Sequence, residues 1–146
     1  MGLKTSEIVS TYKLLSDAKL TKMESGDKFK VIKIMRAMKP IAEEWDSFLK
    51  TVDEKLKKEN HDSIIEKAQK WQQEGDKTSL TNEEKIEINK YLFEFQSEKE
   101  ECIREELDKE VSLDFEKLNE SSFEKLVDSN DWKVNEILSL EMVIKD

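Results

Sequence analysis

Apolar residues recur every three or four positions over four stretches of this chain, the spacing of helix faces. Ile8, Tyr12 and Leu15, widened by Val9 and Ala18, predict a first helix from about Glu7 to Ala18, capped by Thr5 or Ser6. Ser25 can cap a second, with Asp27 favourably placed near its positive end. Phe29, Ile32, Met35, Met38, Ala42, Trp45, Leu49, Val52 and Leu56 then form one long stripe. Val31, Ile34 and Ala37 join it before Pro40, so that half should be buried on two sides. Pro40 removes a donor and crowds the preceding turn, which predicts a kink or break near Met38–Pro40. After a turn at Glu59–Asp62, Ile64, Ile65, Ala68 and Trp71 mark a short helix with Gly75 as its C-terminal cap. Thr81-Asn82-Glu83-Glu84 is a capping box opening a second long helix. Its stripe is Ile88, Tyr91, Leu92, Phe95, Cys102, Ile103 and Leu107, with a wetter middle at Lys99 and an end near Asp108.

The period then changes. Val111, Leu113 and Phe115 alternate with Ser112, Asp114 and Glu116, as in a strand with one buried side. Ser121 or Ser122 opens a helical turn with Phe123, Leu126 and Val127. Trp132 and Val134 also alternate and supply a partner strand; Asn135 then caps a last helix through Ile144. The expected fold is mainly α: a long antiparallel helical hairpin, shorter terminal helices, and a small two-stranded β-element near 111–134. One domain over 1–146 is expected, because no linker or repeat divides the chain.

Charge sharpens this picture. Charged residues make up 40% of the 146 residues and apolar ones 36%, so the core must be thin. The net charge of −9 is unevenly spread. Residues 1–58 carry 13 basic and 9 acidic side chains, whereas residues 59–146 carry 12 basic and 25 acidic. Lys19–Lys39 is the basic pole and Glu83–Glu116 the acidic one. Two opposed helical segments of this kind favour packing on each other; left free, the acidic one recruits a basic partner.

Chemistry-bearing residues are few. His61 is the lone histidine and Cys102 the lone cysteine, so no metal-ligand spacing and no disulfide can be written. His61 reads as structural, and Cys102 as a small buried hydrophobe whose acidic neighbours disfavour a thiolate. Glycine-rich phosphate loops and nucleophile elbows are missing, and no cofactor, metal or catalytic residue is expected. Lys28, Lys30, Lys33, Arg36 and Lys39 could contact phosphates, but they sit in the most apolar segment of an acidic chain. Met1-Gly2-Leu3-Lys4-Thr5-Ser6 fits an N-myristoylation pattern; the plainer reading is an initiator and a helix cap. No signal peptide and no stretch of about 18 apolar residues is present. Glu94, Glu98, Glu101 and Glu105 share helical spacing, and as a free face they are the candidate partner-binding site.

Leu3-Lys4-Thr5-Ser6-Glu7-Ile8-Val9-Ser10-Thr11-Tyr12 resembles the opening of a family of small uncharacterised phage and prophage accessory proteins. The tail, Glu105–Leu118 and Ile137–Ile144, is similar to that family's glutamate-rich helix, alternating strand and short apolar helix. The segment Met23–Lys39 departs from it in being longer and more apolar. The resemblance brings no catalytic residues. It implies a non-enzymatic interaction protein, an assembly accessory or a small regulator of a host protein, in the bacterial cytoplasm or the virion. Its partner would be a protein of basic character, with self-association allowed and nucleic acid and membranes not expected. The alternative is an acidic nucleic-acid mimic that occupies the basic groove of a host nuclease or defence factor.

Overall fold

The computed structural model describes residues 2–146. Helical residues make up 72% of the chain, and the fold is mainly α. In chain order the elements are β1 (Gly2–Lys4), α1 (Thr5–Ser16), α2 (Ser25–Leu56), α3 (His61–Glu74), α4 (Asn82–Asp108), β2 (Glu110–Ser112), α5 (Glu120–Asp128) and α6 (Val134–Leu138). Single 3-10 turns follow at Gly75–Lys77 and Glu141–Val143. None of these helices is long and apolar enough to cross a membrane.

The residues gather into two compact units: 2–47 with 106–146, and Phe48–Glu105. Helices α2 and α4 each contribute to both. Within α4 the buried residues are Ile88 and Tyr91, both in the second unit; its last turns are half-buried at Cys102, Ile103, Glu106 and Leu107.

The first unit is built on Ile8 of α1, Ile34 and Met38 of α2, Leu126 of α5, and Leu118, Leu140 and Val143 from the C-terminal connections, all without solvent exposure. Thr11 is buried among them, its hydroxyl donating to the Ser139 carbonyl at 3.3 Å. Strands β1 and β2 pair antiparallel, with Leu3 opposite Val111. Thr5 extends this seam: its amide and its hydroxyl both donate to the Lys109 carbonyl, at 2.9 and 3.0 Å. The expected β-element is therefore present, but its second strand is Gly2–Lys4 and not Trp132–Val134. Local capping explains the difference. The Lys133 amide donates to the Glu136 carboxylate at 3.0 Å, which starts α6 at Val134. Beyond β2, burial still alternates from Val111 through Leu113 to Phe115, as the period predicted.

Asn130 fastens the connection after α1. Its side-chain oxygen accepts from the Lys19 amide at 2.8 Å, and its nitrogen donates to the carbonyls of Lys19 and Leu126 at 2.9 Å. Ser129 adds a bond from the Lys22 amide at 3.0 Å. Met23 is buried beside this clamp.

Helix α2 continues through Pro40 without a break, and its buried stripe is not the expected one. Pro40 and Arg36, whose carbonyl loses its partner, are both exposed, so water can satisfy that carbonyl. Its buried line in the first unit is Val31, Ile34, Met38 and Ala42, while Phe29 and Ile32 are 63% and 38% exposed. The neighbouring apolar stripe won the core.

In the second unit, Ile64 of α3 packs with Ile88 and Tyr91 of α4, and Ala68, Trp71, Leu80, Leu92 and Phe95 surround them. Gly75 takes a left-handed φ of 57° as the cap of α3, the conformation glycine adopts without strain. The wet middle of α4 is filled by charge: Lys99 Nζ lies 2.9 Å from Asp53 of α2. In the first unit, Ile41 and Trp45 of α2 share a cleft with Glu106 of α4.

Candidate interaction surface

Helix α4 begins as its sequence dictates. The Glu84 amide donates to the Thr81 hydroxyl at 3.1 Å, and the Thr81 amide donates to the Glu84 carboxylate at 3.2 Å. From that start, 3.6 residues per turn fix where every side chain points. Glu94, Glu98, Glu101 and Glu105 fall on one line and all four are exposed. Glu83, Glu87 and Asp108 fall on the same line and are exposed too, so the acidic row runs the length of the helix.

The row lies to one side of the buried face and not opposite it. Counting about 100° per residue, it sits about a quarter turn from Ile88, Tyr91 and Phe95. The side opposite the core instead carries Ile86 and Phe93, 67% and 74% exposed. Their spacing of seven, off the main apolar stripe, is the sequence signal that marks them.

The acidic row is not neutralised internally. Among the described residues, ion pairs tie Lys30 to Glu116, Lys39 to Glu43, Lys67 to Glu84, Lys99 to Asp53, Lys109 to Glu106 and Lys125 to Glu24, and none reaches Glu94, Glu98, Glu101 or Glu105. In the basic stretch of α2, Lys30 and Lys39 are paired, while Lys28, Lys33 and Arg36 make no ion pair among the described residues. Where α2 ends, a 2.8 Å hydrogen bond to Glu54 holds the exposed Lys57 ammonium above its usual pKa.

Beside the row, a shallow cleft of about 180 Å³ is lined by Lys58, Asn60, Ile64, Glu87, Lys90, Tyr91 and Glu94. His61 lies beneath it, 8% exposed, with Nδ1 2.6 Å from the Tyr91 hydroxyl. Its ring also tilts against Phe95 at 4.9 Å. The histidine is thus part of the second unit's core, held by a tyrosine thirty residues away. Cys102 is only half-buried, less enclosed than its position suggested. Among the described residues, no three His, Cys, Asp or Glu side chains converge to hold a metal ion.

A second cleft, of about 450 Å³, lies in the first unit between α1 and the C-terminal turn. Ser6, Ser10 and Ser139 line it with Glu7, Glu141, Leu138 and Met142. No histidine or lysine accompanies these hydroxyls to activate them. Comparison of the chain with protein-family models, with curated proteins and with solved structures finds no match.

Proposed function

We propose that this is a non-enzymatic protein–protein interaction protein of phage or prophage origin, an assembly accessory or a small regulator of a host protein, and that it binds a basic partner through α4. The observation that carries the binding surface is the row Glu94, Glu98, Glu101 and Glu105: exposed, in line, and without an ion pair among the described residues. Desolvating a paired carboxylate would first break its pair, whereas a free row can act at a distance and raise the association rate. Phe93 and Ile86, about a quarter turn away, supply the apolar contact that charge alone lacks. The phage or prophage element rests on the resemblance of the chain's two ends.

A nucleic-acid mimic fits the row less well. Its four carboxylates cover about 16 Å of helix, one per about 5 Å, against one charge per about 1.7 Å in a duplex. Lys90 and Arg104 also interrupt the same side of the helix.

The test is charge reversal. With Glu94, Glu98, Glu101 and Glu105 all changed to Lys, helix content by circular dichroism should be retained. Capture of partner proteins from infected or lysogenic cells at low salt should fall at least tenfold. Undiminished capture by the folded variant would remove the acidic row as the binding surface.

A further inference from the structure

Two exposed faces stand without a partner, and they are complementary. On α2, Phe29, Ile32, Lys33 and Arg36 follow at spacings of three, one and three, so they share one side of the helix. Phe29 is 63% exposed, and neither Lys33 nor Arg36 makes an ion pair among the described residues. On α4, Ile86 and Phe93 stand seven apart, flanked by Glu94 and Glu101, with Glu100 one further heptad on. Each face is a pair of large apolar side chains with a charged rim; the α2 rim is basic, and the α4 rim is net acidic although Lys90 stands between Ile86 and Phe93.

We infer that the basic face of α2 binds the acidic face of α4 in a second copy of this chain. This deepens the proposed function and rests on it: the same acidic row is used, and one basic partner for it is named. Charge selects the pairing. An α2–α2 contact would set Lys33 and Arg36 against themselves, and an α4–α4 contact would do the same with Glu94 and Glu101; like charges across a contact cost affinity. Only α2 on α4 buries both apolar pairs while bringing opposite signs together. The contact is heterologous, one patch on a different patch, so each copy offers both halves. Four apolar side chains make a contact smaller than the roughly 1,200 Å² of a standard interface, so the association is weak and salt-sensitive.

Sedimentation velocity over roughly 5–500 µM protein tests this. At low salt the weight-average mass should rise with concentration above the 17.2 kDa of one chain, and the rise should be smaller at about 0.5 M salt. Lys33→Glu/Arg36→Glu should abolish the rise, as should Glu94→Lys/Glu101→Lys, each with wild-type helix content. Mixing the two variants should restore it, because the reversed faces are complementary again. Phe93→Ser should weaken association about tenfold without changing the charge.

A monomeric wild type at 500 µM overturns the inference, and so does a mixture that fails to re-associate although both variants are folded. The two readings fail separately. Lys33→Glu/Arg36→Glu keeps the acidic row, so it should still capture a basic partner protein after losing self-association. If self-association survives both reversals while partner capture is lost on reversing α4, the proposed function stands and this pairing is wrong.

Discussion

Changing Tyr91 to Phe removes one oxygen from the second unit, and the structure fixes what that costs. The hydroxyl sits 2.6 Å from His61 Nδ1, and both residues are 8% exposed. The ring itself stays, so its packing with Phe95, stacked at a centroid distance of 6.2 Å, is kept. What is lost is one short hydrogen bond, with a buried ring nitrogen left unpaired. The first contributes about 0.5–1.5 kcal/mol and the second costs about 1–3 kcal/mol; since they describe one event from two sides, about 1–3 kcal/mol is expected in all. For a small unit with a core of Ile64, Ile88 and Tyr91, that is a large share of its stability.

The readout must be local, because whole-chain unfolding averages over both units. Native-state hydrogen exchange of the α3 and α4 peptides reports the opening of this core. A loss of 1–3 kcal/mol is roughly a 5- to 150-fold rise in their exchange rate, while α5 peptides in the other unit stay unchanged. His61→Ala should cost about 1 kcal/mol more, since it also removes the ring packed on Phe95 and Tyr91. The double variant should cost about 1 kcal/mol less than the sum of the two, the coupling of a shared bond. Tyr91→Phe exchange within twofold of wild type, or strict additivity in the double variant, would refute the idea that this pair holds the unit together.

Two further changes probe the first unit. Asn130→Ala removes three hydrogen bonds of 2.8–2.9 Å; with water replacing part of them, a loss of about 1–3 kcal/mol in urea unfolding is expected, with faster exchange at residues 17–24, and a change below about 0.5 kcal/mol would show the clamp to be idle. Pro40→Ala restores a donor to the exposed Arg36 carbonyl within an already continuous helix, so it should stabilise by about 1–3 kcal/mol in urea unfolding; a destabilised variant would refute this.

Much of this fold was legible because helix signals are local. The Thr81–Glu84 box, the Gly75 cap and the three-and-four spacing of α4 act within one or two turns, and each appears where the chain spells it. The alternation at Val111–Phe115 likewise survived as alternating burial. Long-range choices were not legible. Nothing near Glu110 announces that its partner is Lys4, over a hundred residues away, while Trp132–Val134 offered a nearer strand. Helix α2 carries two adjacent apolar stripes, and its own sequence cannot say which is buried; the answer depends on α1 and α5 arriving at Ile34 and Met38. His61 and Tyr91 obey no spacing rule, so only the packing of α3 on α4 brings them together.

The candidate surface shows how one such long-range choice decides which side chains share a face. Period alone placed Glu94, Glu98, Glu101 and Glu105 in line and outside. It did not say how far they stand from the buried side, because that depends on which of several apolar residues is the centre of the core. With Ile88 and Tyr91 as that centre, the carboxylates become a flank, and Phe93 and Ile86 occupy the outermost side. A purely acidic outer face would attract any cation and hold none of them firmly, since exposed ion pairs contribute only about 0–1 kcal/mol each. An exposed phenylalanine beside that row changes the balance: on the proposed reading, the field would bring a basic partner in and burial of the ring would slow its departure. Reversing the glutamates should therefore act mainly on the association rate, and removing the Phe93 ring mainly on the dissociation rate. That division, measured on one partner with two folded variants, separates a surface built for binding from a helix that is merely well solvated.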